Sequence, residues 1–145
     1  MQEFPHRYAV SADADAEGNV TVRSAGLPTV TTASPPQFGG AGGLWSPETL
    51  LVAAAADCLV LTFRAIAAAS KLSWRRLACD AEGTLDRKDG VVRFTELQLA
   101  ARLVVPPGVD TERARRVLDK AEASCLITNS LALRPTLAAE IVTEA

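Results

Sequence analysis

The sequence contains a single histidine, His6, and only three cysteines, Cys58, Cys79 and Cys125, with no Cys-x-x-Cys pair among them. A structural zinc site takes about four Cys or His ligands at short spacing, so the means to build one are missing. Charge of one sign is also missing: Lys+Arg 15 against Asp+Glu 17 leaves a formal charge of −2. Without a basic excess there is no broad attraction to a phosphate backbone or an anionic membrane, which argues against nucleic acid as a partner. The opening residues, Met1-Gln2-Glu3-Phe4-Pro5, place an acid and a proline where a signal peptide carries positive charge and then an apolar run. The expectation is a cytoplasmic protein whose thiols stay reduced.

What is present is apolar. Of 145 residues 48% are hydrophobic, and a chain of this length is expected to form one domain, residues 1–145, burying roughly 68–70% of its unfolded surface. Residues Arg7 to Asp13 alternate, and Val20-Thr21-Val22-Arg23 follows a polar turn, which reads as a β-hairpin. Val30-Thr31-Thr32 reads as a third short strand within a Gly- and Pro-rich stretch from Ser24 to Trp45. Loops of that length in compact domains are usually functional or cover something. Its glycines do not follow the dinucleotide-binding pattern.

Ser46-Pro47-Glu48 is a helix start, with a capping serine, a proline suited to the first helical position and an acid at the positive end of the dipole. The run that follows, to Ala69, is apolar nearly all round, the pattern of a membrane span or of a helix buried in protein. Asp57 and Arg64 near its middle argue against the membrane, where each ionised group costs about 2.5–3.5 kcal/mol. A helix buried on all sides in so short a chain is most easily covered by a second subunit, so a homodimer is expected.

Leu77 to Leu85 alternates, Arg87-Lys88-Asp89-Gly90 turns, and Val91 to Val105 returns with a change of phase that predicts a bulge near Thr95-Glu96. After Pro106-Pro107-Gly108 a second helix is predicted from about Asp110 to Ile127, with Ala114, Val117, Leu118, Ala121 and Cys125 on one face. A last strand is predicted over Thr136 to Thr143. This order predicts an α+β fold, with antiparallel sheets, a long buried helix and a second, amphipathic helix.

The three thiols differ in setting. Cys79 lies on the apolar face of a strand, where cysteine behaves as a small hydrophobe. Cys58 lies within the long apolar helix, where burial raises a thiol pKa and leaves it inert unless a cation lowers it again; arginine is the obvious cation. Cys125 falls near the C-terminal end of the second predicted helix, where the dipole disfavours a thiolate and suits a thiol that is attacked second.

The segment Ser46-Pro47-Glu48-Thr49-Leu50-Leu51-Val52-Ala53-Ala54-Ala55-Ala56-Asp57-Cys58, with Ala121-Glu122-Ala123-Ser124-Cys125 about one helix later, resembles the OsmC/Ohr family of thiol-dependent hydroperoxide reductases. The resemblance implies an intertwined α+β homodimer with two active sites at the subunit interface, a peroxidatic Cys58, a resolving Cys125, and Glu48 as the acid that positions an arginine. It implies reduction of organic hydroperoxides in oxidative stress defence, with hydrogen peroxide as a further substrate and re-reduction by a dithiol or a lipoylated protein. No metal or flavin is implied. Glu48 and Cys58, ten positions apart, stand about 15 Å apart along one continuous helix. Glu48 therefore acts through a bridging arginine, a helix break or the partner subunit.

Two positions depart from the family. The activating arginine of the first hairpin turn is matched here by Ala16, and the proline that follows the second cysteine is matched by Leu126. Arg23 and Arg64 are the substitutes to weigh for the arginine, although Arg64, six residues past Cys58, is off its face of the helix. These departures favour a divergent subgroup and keep a second reading open, a dimeric binding protein for an apolar small molecule. Of the other residues, His6 reads as a surface histidine, and Trp45 and Phe38 as lining of a pocket or packing under the loop. Arg113, Arg115 and Arg116 read as a solvated helix face.

Overall fold

Ser46 closes the Gly- and Pro-rich stretch and starts the longest helix. The computed structural model describes all residues, Met1–Ala145, and places helix α1 at Pro47–Ala69. Its cap is reciprocal: the Thr49 N–H donates to Ser46 Oγ at 3.2 Å, and the Ser46 N–H to Thr49 Oγ1 at 2.9 Å. Two amides that the first helical turn would orphan are thereby satisfied.

The chain forms two compact units, Met1–Leu50 and Leu51–Ala145. In the first, β1 (Ser11–Asp13), β2 (Val20–Arg23) and β3 (Val30–Thr32) make an antiparallel sheet in that order. The hairpin and the third strand fall where they were expected, with β1 shorter than the alternation from Arg7. Arg23 pairs with Asp13 across this hairpin. A 3-10 turn over Pro36–Phe38 interrupts the long loop, and Trp45 bridges back to Thr32.

In the second unit, β4 (Arg76–Lys88) and β5 (Val91–Val105) pair antiparallel over their whole length. The turn between them is Asp89-Gly90, both at positive φ (53° and 79°), the backbone that twists with the strands. The register slips where Thr84 faces Glu96 and Leu85 faces Phe94, so Thr95 is the extra residue and the bulge lies at the change of phase. Helix α2 (Thr111–Ala123) is capped by Asp110, whose carboxylate accepts from the N–H groups of Glu112 and Arg113 at 2.9 and 3.1 Å. Strand β6 (Thr136–Thr143) then completes the sheet β4-β5-β6.

Two expectations need correction. β6 runs parallel to β5, so this sheet is mixed; α2 provides the crossover that a parallel pair requires. The second helix also ends at Ala123 and not at Ile127. The Cys125 N–H turns to Glu122 O at 3.1 Å, which takes Cys125 out of the helix, and a 3-10 turn over Thr128–Ser130 follows.

The core belongs to the second unit. Leu97, Leu99, Ala101 and Leu103 of β5 are buried against Ala55, Leu59, Phe63 and Ala67 of α1 and Ala114, Val117, Leu118 and Ala121 of α2. Cys79 packs at its margin beside Leu77 and Ala81, as its strand phase predicts. Gly83 permits the close approach of α1: a Cβ there would lie 2.9 Å from Val52 Cγ2 and 2.8 Å from Phe94 Cε1. The long helix is not buried all round within one chain. Although its best 18-residue window has a mean hydropathy of 2.0, only 22% of that window is buried, and Leu61 is half exposed. By length and composition this one helix could cross a membrane; its buried stripe is packed into protein.

Candidate functional site

Cys58 faces inward from the middle of α1 and is 9% exposed; Cys125, in the turn after α2, is 1% exposed. Both are free thiols. Each thiol bears on the ionisation of the other. Thr62, one turn on from Cys58, places its hydroxyl 3.7 Å from the Cys58 sulfur. The main-chain N–H groups of Ile127 and Leu126 also bear on that sulfur.

These neighbours polarise the pair in opposite senses. Burial pushes the Cys58 thiol up, but the Cys125 thiol, the Ile127 amide, the Thr62 hydroxyl and the Leu126 amide together outweigh it and bring it below an ordinary thiol. For Cys125, burial raises the pKa, and its role as donor to Cys58 raises it further against the lowering effect of the Thr128 hydroxyl and amide. Of the two sulfurs, Cys58 is the one whose ionisation its surroundings favour and Cys125 the one whose ionisation they oppose. The helix end was expected to disfavour a Cys125 thiolate; since Cys125 lies beyond α2, burial first and then the neighbouring Cys58 raise its pKa instead.

Cys79 stands apart chemically. Burial, then the nearby charges of Asp80 and Cys125, push its thiol up to about 11, so near neutral pH it remains a thiol.

Glu48 lies in the first turn of α1. Its Oε2 is buried with no hydrogen-bond partner, an uncompensated position for a carboxylate oxygen. It faces a cavity of about 560 Å³ within the first unit, whose other walls include Val20, Val22, Thr32, Phe38 and Leu50. Since α1 is unbroken from Pro47 to Ala69, a helix break is removed from the ways in which Glu48 might serve Cys58. Phe38 lines this cavity, whereas Trp45 is half exposed and ties the loop back through its carbonyl to the Ala33 N–H at 3.0 Å.

Of the two substitute arginines, Arg23 is engaged by Asp13 and Arg64 is exposed. His6 bonds to Gln2 O at 3.0 Å and stacks on Phe4, a local contact at the chain end. The arginines of α2 lie on its solvated side, Arg113 and Arg116 exposed and Arg115 partly so, and two of them make local ties. Arg113 bonds to Ser70 O, and Arg115 reaches Asp119 at 3.2 Å and Ala139 O at 3.3 Å. Sequence reasoning missed Thr62, Thr128 and the amides of Leu126 and Ile127. The spacing of Thr62, four residues from Cys58 on a helix, is the signal that identifies it.

Known proteins with this architecture share the arrangement of elements over nearly the whole chain. An OsmC-like protein of unknown function from Vibrio cholerae superposes with a TM-score of 0.81 at 18% identity, covering 95% of this chain and 100% of that one. An organic hydroperoxide resistance protein OsmC from Legionella pneumophila gives 0.73 at 23% identity over 96% and 98%, and OhrB of Bacillus subtilis gives 0.69 at 16% over 94% and 98%. By sequence, the uncharacterized protein YmaD of Bacillus subtilis (strain 168) is 27% identical over 114 residues, 77% of this chain and 75% of that protein. Residues 40–140 match the family model of OsmC-like proteins, and with a match that spans more than half of its length the chain belongs to the OsmC-like family.

Proposed function

We propose that the protein is a cysteine-based hydroperoxide reductase of the OsmC/Ohr type, acting in oxidative stress defence. The observation that carries the reading is the polarised pair, in which Cys58 is lowered by its hydrogen-bond donors while Cys125 is held protonated. The Cys58 thiolate attacks the distal peroxide oxygen, the O–O bond breaks, and the alcohol leaves with a proton. Cys58 is then a sulfenic acid. The Cys125 sulfur attacks the Cys58 sulfur, a disulfide forms and water leaves. A dithiol, free or carried as a lipoyl group on a protein, reduces the disulfide by exchange and is itself oxidised.

The same reading holds the protein to be a cytoplasmic homodimer. Its support is apolar surface that one chain leaves open, with Leu61 at 49% and Leu126 at 67% exposure and a first unit that buries no apolar side chain. The names of structural relatives that are organic hydroperoxide resistance proteins support an organic peroxide as substrate. The test is peroxide consumption with a lipoyl dithiol as reductant: cumene hydroperoxide is turned over faster than hydrogen peroxide, and neither is consumed by Cys58→Ser. A second reading, a binding protein for an apolar small molecule, is favoured by the apolar cavity beside Glu48. It wins if the native protein consumes neither peroxide yet an apolar fluorophore binds and is displaced by Phe38→Trp.

A further inference from the structure

We propose that Thr62 is a positioning residue for Cys58, its hydroxyl donating to the sulfur once that sulfur is ionised and so stabilising the attacking thiolate. The inference rests on the reading of Cys58 as the attacking thiol and adds a second side chain to the same site.

Helix α1 runs unbroken from Pro47 to Ala69, so residues four apart share a face, one turn above the other. Thr62 stands in that relation to Cys58, and its Oγ1 lies 3.7 Å from the Cys58 sulfur, a hydrogen-bond distance for the larger sulfur atom. A hydroxyl on a helix has a competing partner, the carbonyl four residues back. Ser70, at the end of α1, takes that partner, donating to Ile66 O at 2.7 Å, and Ser130 does the same to Leu126 O at 2.7 Å. For Thr62 the carbonyl four back is that of Cys58 itself, yet the one hydrogen bond of its hydroxyl goes to the Cys58 sulfur.

The direction of this bond depends on the state of the thiol. While Cys58 holds its proton, either atom can donate. Once the proton leaves, the sulfur can only accept, and the hydroxyl is the donor. A hydrogen bond to an ionised acceptor is roughly twice as strong as one between neutral groups, and Cys58 is only 9% exposed, so solvent weakens it little. The contact therefore strengthens as Cys58 ionises, which favours the thiolate. The Cys58 thiol responds in that sense: burial raises it, and its hydrogen-bond partners, Cys125 first and Thr62 among the others, bring it below an ordinary thiol. Cys125 is the titratable group that bears on it; Asp57 and Arg64, the nearest charged residues along α1, are exposed.

The experiment follows alkylation of Cys58 by iodoacetamide against pH, with the modified peptide quantified by mass and Cys79 read in the same digest. Thr62→Val keeps the β-branched shape and removes the hydroxyl. Its Cys58 alkylates about two- to tenfold more slowly at neutral pH, the effect of one hydrogen bond on a thiolate, and the deficit closes at alkaline pH, where both proteins are ionised. Thr62→Ser retains a hydroxyl and returns the native profile. A loosened fold would act the other way, speeding both Cys58 and Cys79. A Thr62→Val profile that coincides with the native one or runs above it overturns the assignment, as does a deficit that persists at alkaline pH or in Thr62→Ser. A native Cys58 whose reactivity rises with pH no earlier than that of Cys79 overturns the reading of Cys58 as attacking thiol, whatever Thr62→Val does.

Discussion

The two units of this chain bury their residues very differently. Residues 51–145 contain every buried apolar side chain, whereas in residues 1–50 the buried residues are Thr32 and Ser46, and Phe4, Tyr8, Val10, Leu27, Phe38, Leu44 and Trp45 stay exposed. A three-stranded sheet with short strands and no apolar core is marginal by itself in water. The second unit, with α1 and α2 on a mixed sheet, carries its own stability and holds both polarised thiols. The contrast teaches that both thiols belong to the unit with the apolar core, while the small sheet has none of its own; cover from a second subunit is what the proposed homodimer would supply.

The largest effect expected is chemical. Cys58→Ser removes all peroxide consumption, while Cys79→Ser, at the margin of the same core, keeps it; loss of activity in Cys79→Ser would break the assignment of the couple. Next comes the contrast itself. Phe63 is fully buried and meets Trp74 edge to face with ring centroids 5.2 Å apart, so Phe63→Ala costs about 3–5 kcal/mol. Phe38 is 58% exposed, and Phe38→Ala changes the chemical denaturation midpoint little, within about 0.5 kcal/mol. Equal costs at the two phenylalanines would erase the distinction between the units.

A smaller effect concerns the open face of α1. Leu61→Asp costs a single chain little, as an exposed substitution within about 0.5 kcal/mol, but places a charge in the apolar surface that the homodimer would cover. Sedimentation equilibrium is expected to show native dimers and variant monomers; two dimers with the same dissociation constant would show that this face is free. The smallest effect is at Cys79. Its folded pKa, about 11, exceeds that of an unfolded thiol, so the folded state holds the proton longer. Its contribution to stability is complete below the unfolded pKa and is lost as pH rises towards about 11. Alkaline denaturation of Cys79→Ser should lack that part of the decline.

Much of this was legible in the residues. The bounds of β5 and β6, the bulge at Thr95 and the start of α1 at Ser46-Pro47 follow from alternation, a break in phase and capping chemistry. The direction of β6 was not legible, because a period of two is the same in parallel and antiparallel strands. Nor was the end of α2: Cys125 falls on the helical period of Ala114, Val117, Leu118 and Ala121, with no glycine or proline to mark the stop. The pairing of Cys58 with Cys125 came from resemblance; the structure adds that both are buried and that each bears on the other's ionisation. The main-chain groups that bear on Cys58 carry no letter of their own.

The most direct test of the account is to treat the reduced protein with one equivalent of cumene hydroperoxide, count free thiols and map disulfides by peptide mass. The account predicts that two of the three thiols disappear into a Cys58–Cys125 disulfide while Cys79 remains free. Three free thiols after the peroxide treatment, or a disulfide that includes Cys79, would contradict it.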